Sequence, residues 1–243
     1  MHRFFYRPQN SDSQYLDIVD KDEMHHLKNV LRLKVDNEVS LIDGKGAELV
    51  CNINQIKKDS VRLEVIKRIQ RKKEEFMPQV TLACAIPKKS KIDFIVEKLT
   101  EIGVDRIVLL KTERTEVNLK DFSQKAGRLE KIAKESLKQS GNLFLPEIMF
   151  MNFPELVKFK KENNFDVALM PSLVKDTQKI KDVLGKNIAK NILVVVGPEG
   201  DFSQGEINFA RENGFIPVRL TESVLKVDTE AITVAGFIKM FAK

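Results

Sequence analysis

The chain has no tryptophan, two tyrosines, two cysteines and three histidines in 243 residues. Each scarcity removes a class of function. Without tryptophan, and with its phenylalanines mostly inside apolar runs, it advertises no aromatic platform for stacking unpaired bases. Cys51 and Cys84 lie in separate alternating apolar runs without CxxC spacing, which predicts two buried, reduced thiols and no metal site. The pair His25-His26 precedes a short periodic stretch, Leu27, Val30 and Leu31, and reads as structural. No apolar run approaches the length of a bilayer span, and residues 1–10 lack the apolar segment of a secretory signal, so a cytoplasmic protein is expected. A hydrophobic content of 42% is enough for real cores, in one large domain or in a small one plus a medium one.

The net charge of +6 is compatible with a polyanionic partner without demanding one. Between residues 86 and 142 about 13 Lys/Arg stand against about 9 Asp/Glu, while the chain beyond 143 is close to balanced. Either an RNA footprint or a solvated helix surface produces so mild an excess.

Two unequal parts are expected, 1–72 and 73–243, parted by the charged segment 70–75. In the first, short strands around 39–43, 49–56 and 61–66 are punctuated by Asp43-Gly44-Lys45-Gly46 and Lys57-Lys58-Asp59, the pattern of a small β-barrel. Gly44-x-Gly46 has no third glycine and leads into another strand, which makes it a hairpin turn. In the second, strands at 80–86, 107–110, 167–170, 192–196 and 217–220 alternate with helical patterns. Ser90 with Asp93 and Ser203 with Glu206 are the capping boxes of two such helices. Ile92, Ile95, Val96, Leu99 and Ile102 form the buried face of the first, which stops at Gly103. Alternation of this kind predicts an α/β domain with a parallel sheet covered on both faces.

The densest signal is LVVVGPEGDFS at 193–203. A β-branched run breaks at Gly197-Pro198, passes Gly200 and restarts as a helix, which is how a ligand loop sits at the carboxyl end of a strand. A tight strand-to-helix turn is the plainer alternative. Glu199 and Asp201 would repel a phosphate, and the Gly-Lys-Ser/Thr ending of a P-loop is absent, so a neutral or cationic ligand fits better.

VVVGPEGDFS and the later SVLKVDTEA resemble the two late motifs, GPEGGF and LRxETA, of SPOUT-class RNA methyltransferases. The version is that of the bacterial 16S ribosomal RNA uracil-N3 methyltransferases (RsmE type). MHRFFY, HHLKNVLRL from His25, PKKSKIDFIVEKLTEIGVDRI from Pro87, TERT from Thr112 and KESLKQSGN from Lys134 agree in the same order. The resemblance implies a PUA-like RNA-binding barrel followed by a parallel sheet whose last part, from about Leu193, is threaded as a trefoil knot. It also implies S-adenosylmethionine as methyl donor, a homodimer, and 16S rRNA, in the 30S subunit, as substrate. Periodicity alone reveals no knot.

On that footing Gly197, Pro198, Glu199 and Gly200 form the cofactor loop. Leu220, Ser223, Val224, Leu225 and Thr229 form the second clasp, and Met170 and Pro171 complete the pocket. The apolar members are otherwise plain core. Uracil N3 must lose a proton, and the charge left on the ring needs a cation. Lys226, Arg114 and Lys91 are the candidate cations, and Glu101, Glu199 and Asp228 the candidate carboxylates; Lys226, Glu101 and Arg114 are singled out as catalytic. An exposed salt bridge or a helix cap is the alternative for each. Arg3, Arg7, Lys28, Arg32, Lys88 and Lys91 are the candidate contacts to rRNA phosphate.

Four positions depart from the family pattern. Asp201 stands for the second glycine of GPEGG, Lys226 for an arginine, Asp228 for a glutamate, and Asn142 for the arginine after Ser-Gly. A rebuilt Lys226–Asp228 ion pair is one reading of the paired change. The competing functions are a non-catalytic RNA-binding or ribosome-assembly protein on the same fold, and a related enzyme for another nucleotide. A doubly wound dehydrogenase-like domain is the structural runner-up, but its early GxGxxG is missing.

Overall fold

The computed structural model describes residues 1–7, 13–73, 77–87, 91–115, 118–119, 124–172, 174, 177–185 and 189–241. The chain divides into two compact units, Met1–Lys73 with Lys134–Leu145, and Glu74–Ala133 with Pro146–Lys243.

The first unit is built on strands β1 (His2–Phe5), β2 (Tyr15–Ile18), β3 (Glu38–Ile42), β4 (Ala47–Ile56) and β5 (Val61–Gln70), in the order β1-β3-β4-β5-β2. β1 lies parallel to β3 and the other pairs are antiparallel. β3, β4 and β5 fall where alternation places them. β1 and β2 have four residues each, too few for a period of two to stand out. The β3–β4 turn closes through Asp43, whose Oδ1 accepts from the N–H groups of Lys45 (2.7 Å) and Ala47 (3.0 Å). Register slips at Val50/Cys51 and Ile53/Gln55 bend the long β4–β5 pair around a core that includes Phe4, Leu27, Leu41, Ile53 and Leu63. Helix α1 (Lys21–His25) is capped by the Asp20 carboxylate and runs into a π-type turn, His26–Val30. The His26 ring meets Phe4 edge-on at 5.9 Å, the structural role expected of it.

The second unit is a seven-stranded parallel sheet of β6 (Gln79–Ala85), β7 (Arg106–Lys111), β8 (Glu147–Asn152), β9 (Val167–Pro171), β10 (Gln178–Lys179), β11 (Asn191–Val196) and β12 (Ile216–Arg219). Their order is β10-β12-β9-β11-β6-β7-β8. The helices are α2 (Lys91–Ile102), α3 (Ala126–Ser140), which runs from this unit into the first, α4 (Phe153–Glu162), α5 (Ile180–Leu184), α6 (Gln204–Glu212) and α7 (Val227–Phe241). β6 and β11 are buried on both faces, which is why they read as unbroken apolar runs. Ala83, Leu193 and Val195 join Phe153, Leu156, Phe202 and Ile207 in one core; α7 packs against α2 and β6.

Local signals explain the helix ends. Ser203 and Glu206 form the expected capping box at α6, and Asn152 and Glu155 form another at α4. Gly103 ends α2 at φ +84°. Ile102 is only half-buried. Ser90, the proposed cap of α2, and Lys88, a proposed RNA contact, lie outside the described residues. Both cysteines are buried and free, and burial pushes the Cys51 thiol up to about 12. No helix among the described residues is long and apolar enough to cross a membrane.

Candidate functional site

Three loops meet at the carboxyl ends of the central strands. After β11, Gly197 is held by packing: a Cβ there would lie 2.9 Å from Cε2 of the buried Phe202 ring. Gly200 is held by conformation, at φ +95°, and a Cβ on it would meet nothing nearer than Arg114 Nη1 at 4.0 Å. Asp201 also has a positive φ, +66°. It therefore keeps the glycine-favouring backbone of the position where the resembled family carries glycine. Its carboxylate offsets that strain, Oδ2 accepting from Ser172 Oγ at 2.9 Å and Oδ1 from the Phe202 N–H at 2.8 Å. Ser172 directly follows β9, so two strand ends are tied together at Asp201.

The turn after β7 is docked on the same loop. Thr112 and Thr115 are joined through their hydroxyls at 2.7 Å. The buried Glu206 carboxylate accepts from the Glu113 N–H at 2.9 Å and the Ser203 N–H at 3.0 Å. Arg114 then donates Nη1 to the carbonyl oxygens of Gly200 and Asp201. Its guanidinium holds the loop's backbone, a role the sequence did not indicate.

Helix α7 brings the charges. It starts at Val227, so Asp228 and Thr229 lie in its first turn and neither is its cap. Asp228 Oδ1 is 3.0 Å from Lys91 Nζ. This corrects the expected Lys226–Asp228 pair: Lys91 is the hydrogen-bonded partner, and the exposed Lys226 side chain has no hydrogen bond or ion pair among the described residues. Burial would raise the Asp228 carboxyl, but the Lys91 hydrogen bond, a backbone N–H and the charges of Lys91 and Lys226 outweigh it and set it below the ordinary value. Glu230, one turn into α7, behaves oppositely. Burial and the neighbouring Asp201 push its carboxyl up to about 7.

The other sequence-predicted residues divide as follows. Glu199 is exposed at the loop tip, and Pro198 is buried beneath it. Val224 is 74% exposed, an apolar side chain with little covering it, while Leu220 and Leu225 are half-buried and Ser223 and Thr229 exposed. Met170 is wholly buried in the core beneath the loops, and Pro171 is buried at the end of β9. Glu101 is not brought to this cluster. It sits ten residues along α2 from Lys91, about 15 Å, paired with Lys98 at 2.8 Å. A shallow depression between Lys179, Arg219, Glu222 and Phe237 shares only Leu220 with the predicted pocket.

In the first unit, Arg3 is engaged internally, its Nε 3.5 Å from the buried Glu48 carboxylate, which also accepts from Ser40 Oγ. Lys28 donates to the carbonyls of Lys57 and Lys58. Arg7 and Arg32 are exposed, Arg32 at φ +53°. Asn142 accepts from the Phe144 N–H and shapes the turn after α3.

Comparison with known proteins matches both units. An RNA methyltransferase domain model covers residues 73–239, and an RNA methyltransferase PUA domain model covers 19–66. Ribosomal RNA small subunit methyltransferase E 2 of Borreliella burgdorferi is 29% identical over 93% of this chain and 91% of its own. Ribosomal RNA small subunit methyltransferase E of Mesomycoplasma hyopneumoniae is 30% identical over 96% of each. The crystal structure of a ribosomal RNA small subunit methyltransferase E from Neisseria gonorrhoeae bound to S-adenosyl methionine shares the fold, with a TM-score of 0.85 at 24% identity over 99% of this chain and 98% of that one. With one model spanning well over half of the sequence and full-length relatives of the same kind, the chain belongs to the RNA methyltransferase family.

Proposed function

We propose that this protein methylates N3 of a uridine in 16S rRNA with S-adenosylmethionine as donor, acting on the 30S subunit as a cytoplasmic homodimer. Residues 1–72 serve as a PUA-like RNA-binding domain and residues 73–243 as a SPOUT methyltransferase domain with a C-terminal knot. The observation that carries this reading is the loop 197–201, with open space over Gly200 and the carboxylates of Glu199 and Asp201 on it. A sulfonium cofactor is cationic, and such a loop suits it where it would repel a phosphate. Gly197, Pro198 and Gly200 would hold it from the loop, with Leu220, Val224 and Leu225 supplying apolar cover for a purine; the exposure of Val224 is the feature such cover would remove.

When bound, S-adenosylmethionine supplies an electrophilic methyl carbon and keeps the electron pair of the broken C–S bond. The chain's own residues must align the donor and the ring nitrogen, exclude water, and take up the N3 proton. Arg114 contributes alignment by fixing the loop carbonyls, and Lys226, exposed and unpaired, offers positive charge to the reacting ring. The knot is supported by chain order: β12 lies beyond β9, and α7 returns past β9 and β11 to pack on α2 and β6. Exposed Phe94, Met240 and Phe241 support a subunit interface on α2 and α7.

An N3 methyl group blocks the pairing edge of uracil. Reverse transcriptase is therefore expected to stall at one position of small-subunit rRNA from wild-type cells and to read through in a deletion strain. Identical stop patterns would overturn the assignment. Cofactor binding without any turnover on 30S subunits would favour the non-catalytic alternative.

A further inference from the structure

Glu230 occupies an unusual place in the fold. Along α7 the buried stripe runs Val227, Ala231, Val234 and Ile238, and Glu230, three residues after Val227 and four before Val234, lies on the same face. It is half-buried there, and among the described residues its carboxylate has neither a hydrogen bond nor an ion pair. A carboxylate set into an apolar stripe is ordinarily paired or hydrogen-bonded. The charge that acts on it is of the wrong sign: Asp201, fixed by Ser172 and the Phe202 N–H, raises its carboxyl from the loop after β11. The other titratable groups of this neighbourhood are Cys84 on β6, Glu199 on that loop and Asp228 on α7; the two carboxylates act with Glu230 on the Cys84 thiol. Of the cations, Lys91 on α2 is taken up by Asp228, and Lys226 points its effect at Asp228 as well.

We propose that Glu230 is the general base of the methyl transfer: its carboxylate, set on the buried face of α7 beside the loop after β11 with no hydrogen-bond or ion-pair partner among the described residues, accepts the N3 proton of the target uracil. The inference rests on the uridine-methylation reading above. The N3–H electron pair stays on nitrogen and forms the new N–C bond, and the proton passes from Glu230 to solvent after turnover. An ordinary carboxylate is a poor acceptor for this proton, and one that titrates near neutrality is matched to it. Asp228, committed to Lys91 and set below the ordinary value, lacks that match, and Glu199 stands at the exposed tip of the loop.

Three measurements test this on the full-length protein. Carbon-13 NMR titration of the wild type, with Glu230 assigned by its loss in Glu230→Gln, is expected to show a midpoint near 7, and Asp201→Asn is expected to move it lower. The pH profile of kcat on 30S subunits should rise through the same midpoint and shift with it in Asp201→Asn. Glu230→Gln should bind S-adenosylmethionine within about twofold of wild type by calorimetry and lose at least about a hundredfold in kcat, with partial recovery in Glu230→Asp. A Glu230→Gln variant with wild-type kcat, or an NMR midpoint in the ordinary carboxylate range, overturns the assignment of the base alone. A wild-type protein that binds the cofactor and leaves rRNA unmethylated overturns the methylation reading itself.

Discussion

Lys91 Nζ lies 3.0 Å from Asp228 Oδ1, joining the start of α2 to the first turn of α7 across 137 positions of sequence. The pair is partly exposed, 36% at Lys91 and 22% at Asp228, so solvent screens it and Lys91→Met is expected to cost no more than about 1 kcal/mol near neutral pH. Because the Asp228 carboxyl is set below its ordinary value, the stabilisation is present above the usual carboxylate range and is lost as pH falls through the lowered value. Melting temperatures of wild type and Lys91→Met should differ at pH 7 and converge in acid; a constant gap would assign Lys91 another role.

The two loop glycines should fail differently. Gly197→Ala drives a Cβ to 2.9 Å from the buried Phe202 ring and is expected to cost about 1–3 kcal/mol through overpacking. Gly200→Val has room around its Cβ and mainly bears the strain of φ +95°, about 1–2 kcal/mol. It should weaken S-adenosylmethionine binding by at least tenfold while lowering the melting temperature less than Gly197→Ala does. Wild-type cofactor affinity in Gly200→Val would move the pocket elsewhere.

The Lys226 side chain has no hydrogen bond or ion pair to lose among the described residues, so its removal reads mainly its charge. Lys226→Ala is expected to lower kcat by roughly tenfold to a thousandfold with little change in stability, and Lys226→Arg to retain much of the activity. Full turnover of Lys226→Ala on 30S subunits would make it a solvated lysine that only tunes Asp228.

Of the four candidate phosphate contacts in the first unit, Arg7 and Arg32 are left exposed, whereas Arg3 and Lys28 are engaged within the fold. Replacing Arg7 and Arg32 by Gln should weaken rRNA binding and flatten the logarithmic salt dependence by roughly 0.7 to 0.9 for each phosphate that is no longer neutralised. Cofactor affinity should not move. An unchanged salt slope would exclude both arginines as phosphate ligands.

What was legible in the sequence followed from local rules. Runs such as residues 192–196 and capping pairs such as Ser203 with Glu206 announce themselves, because backbone hydrogen bonding and burial impose short-range periods. The loop 197–201 was legible as a loop for the same reason: two glycines after a strand, beside acidic residues, restrict both conformation and charge. Four-residue β1 and β2 carry too few positions for a period, and the grouping of Lys134–Leu145 with the first unit depends on packing that a helix's own pattern does not encode.

The identity of partners was decided only in three dimensions. Lys226 and Asp228 are two residues apart and invited pairing, yet Lys226 precedes α7 with its side chain exposed, and the cation that reaches Asp228 comes from α2. Arg114 looked like a free cation and is spent on two loop carbonyls. Glu230 escaped notice as an ordinary acidic residue in a helix's first turn. A side chain's type is written in the sequence, but its protonation and its role depend on which groups the fold sets against it, and for Glu230 that group is Asp201, brought close by the folding of β11 beside β6 under α7.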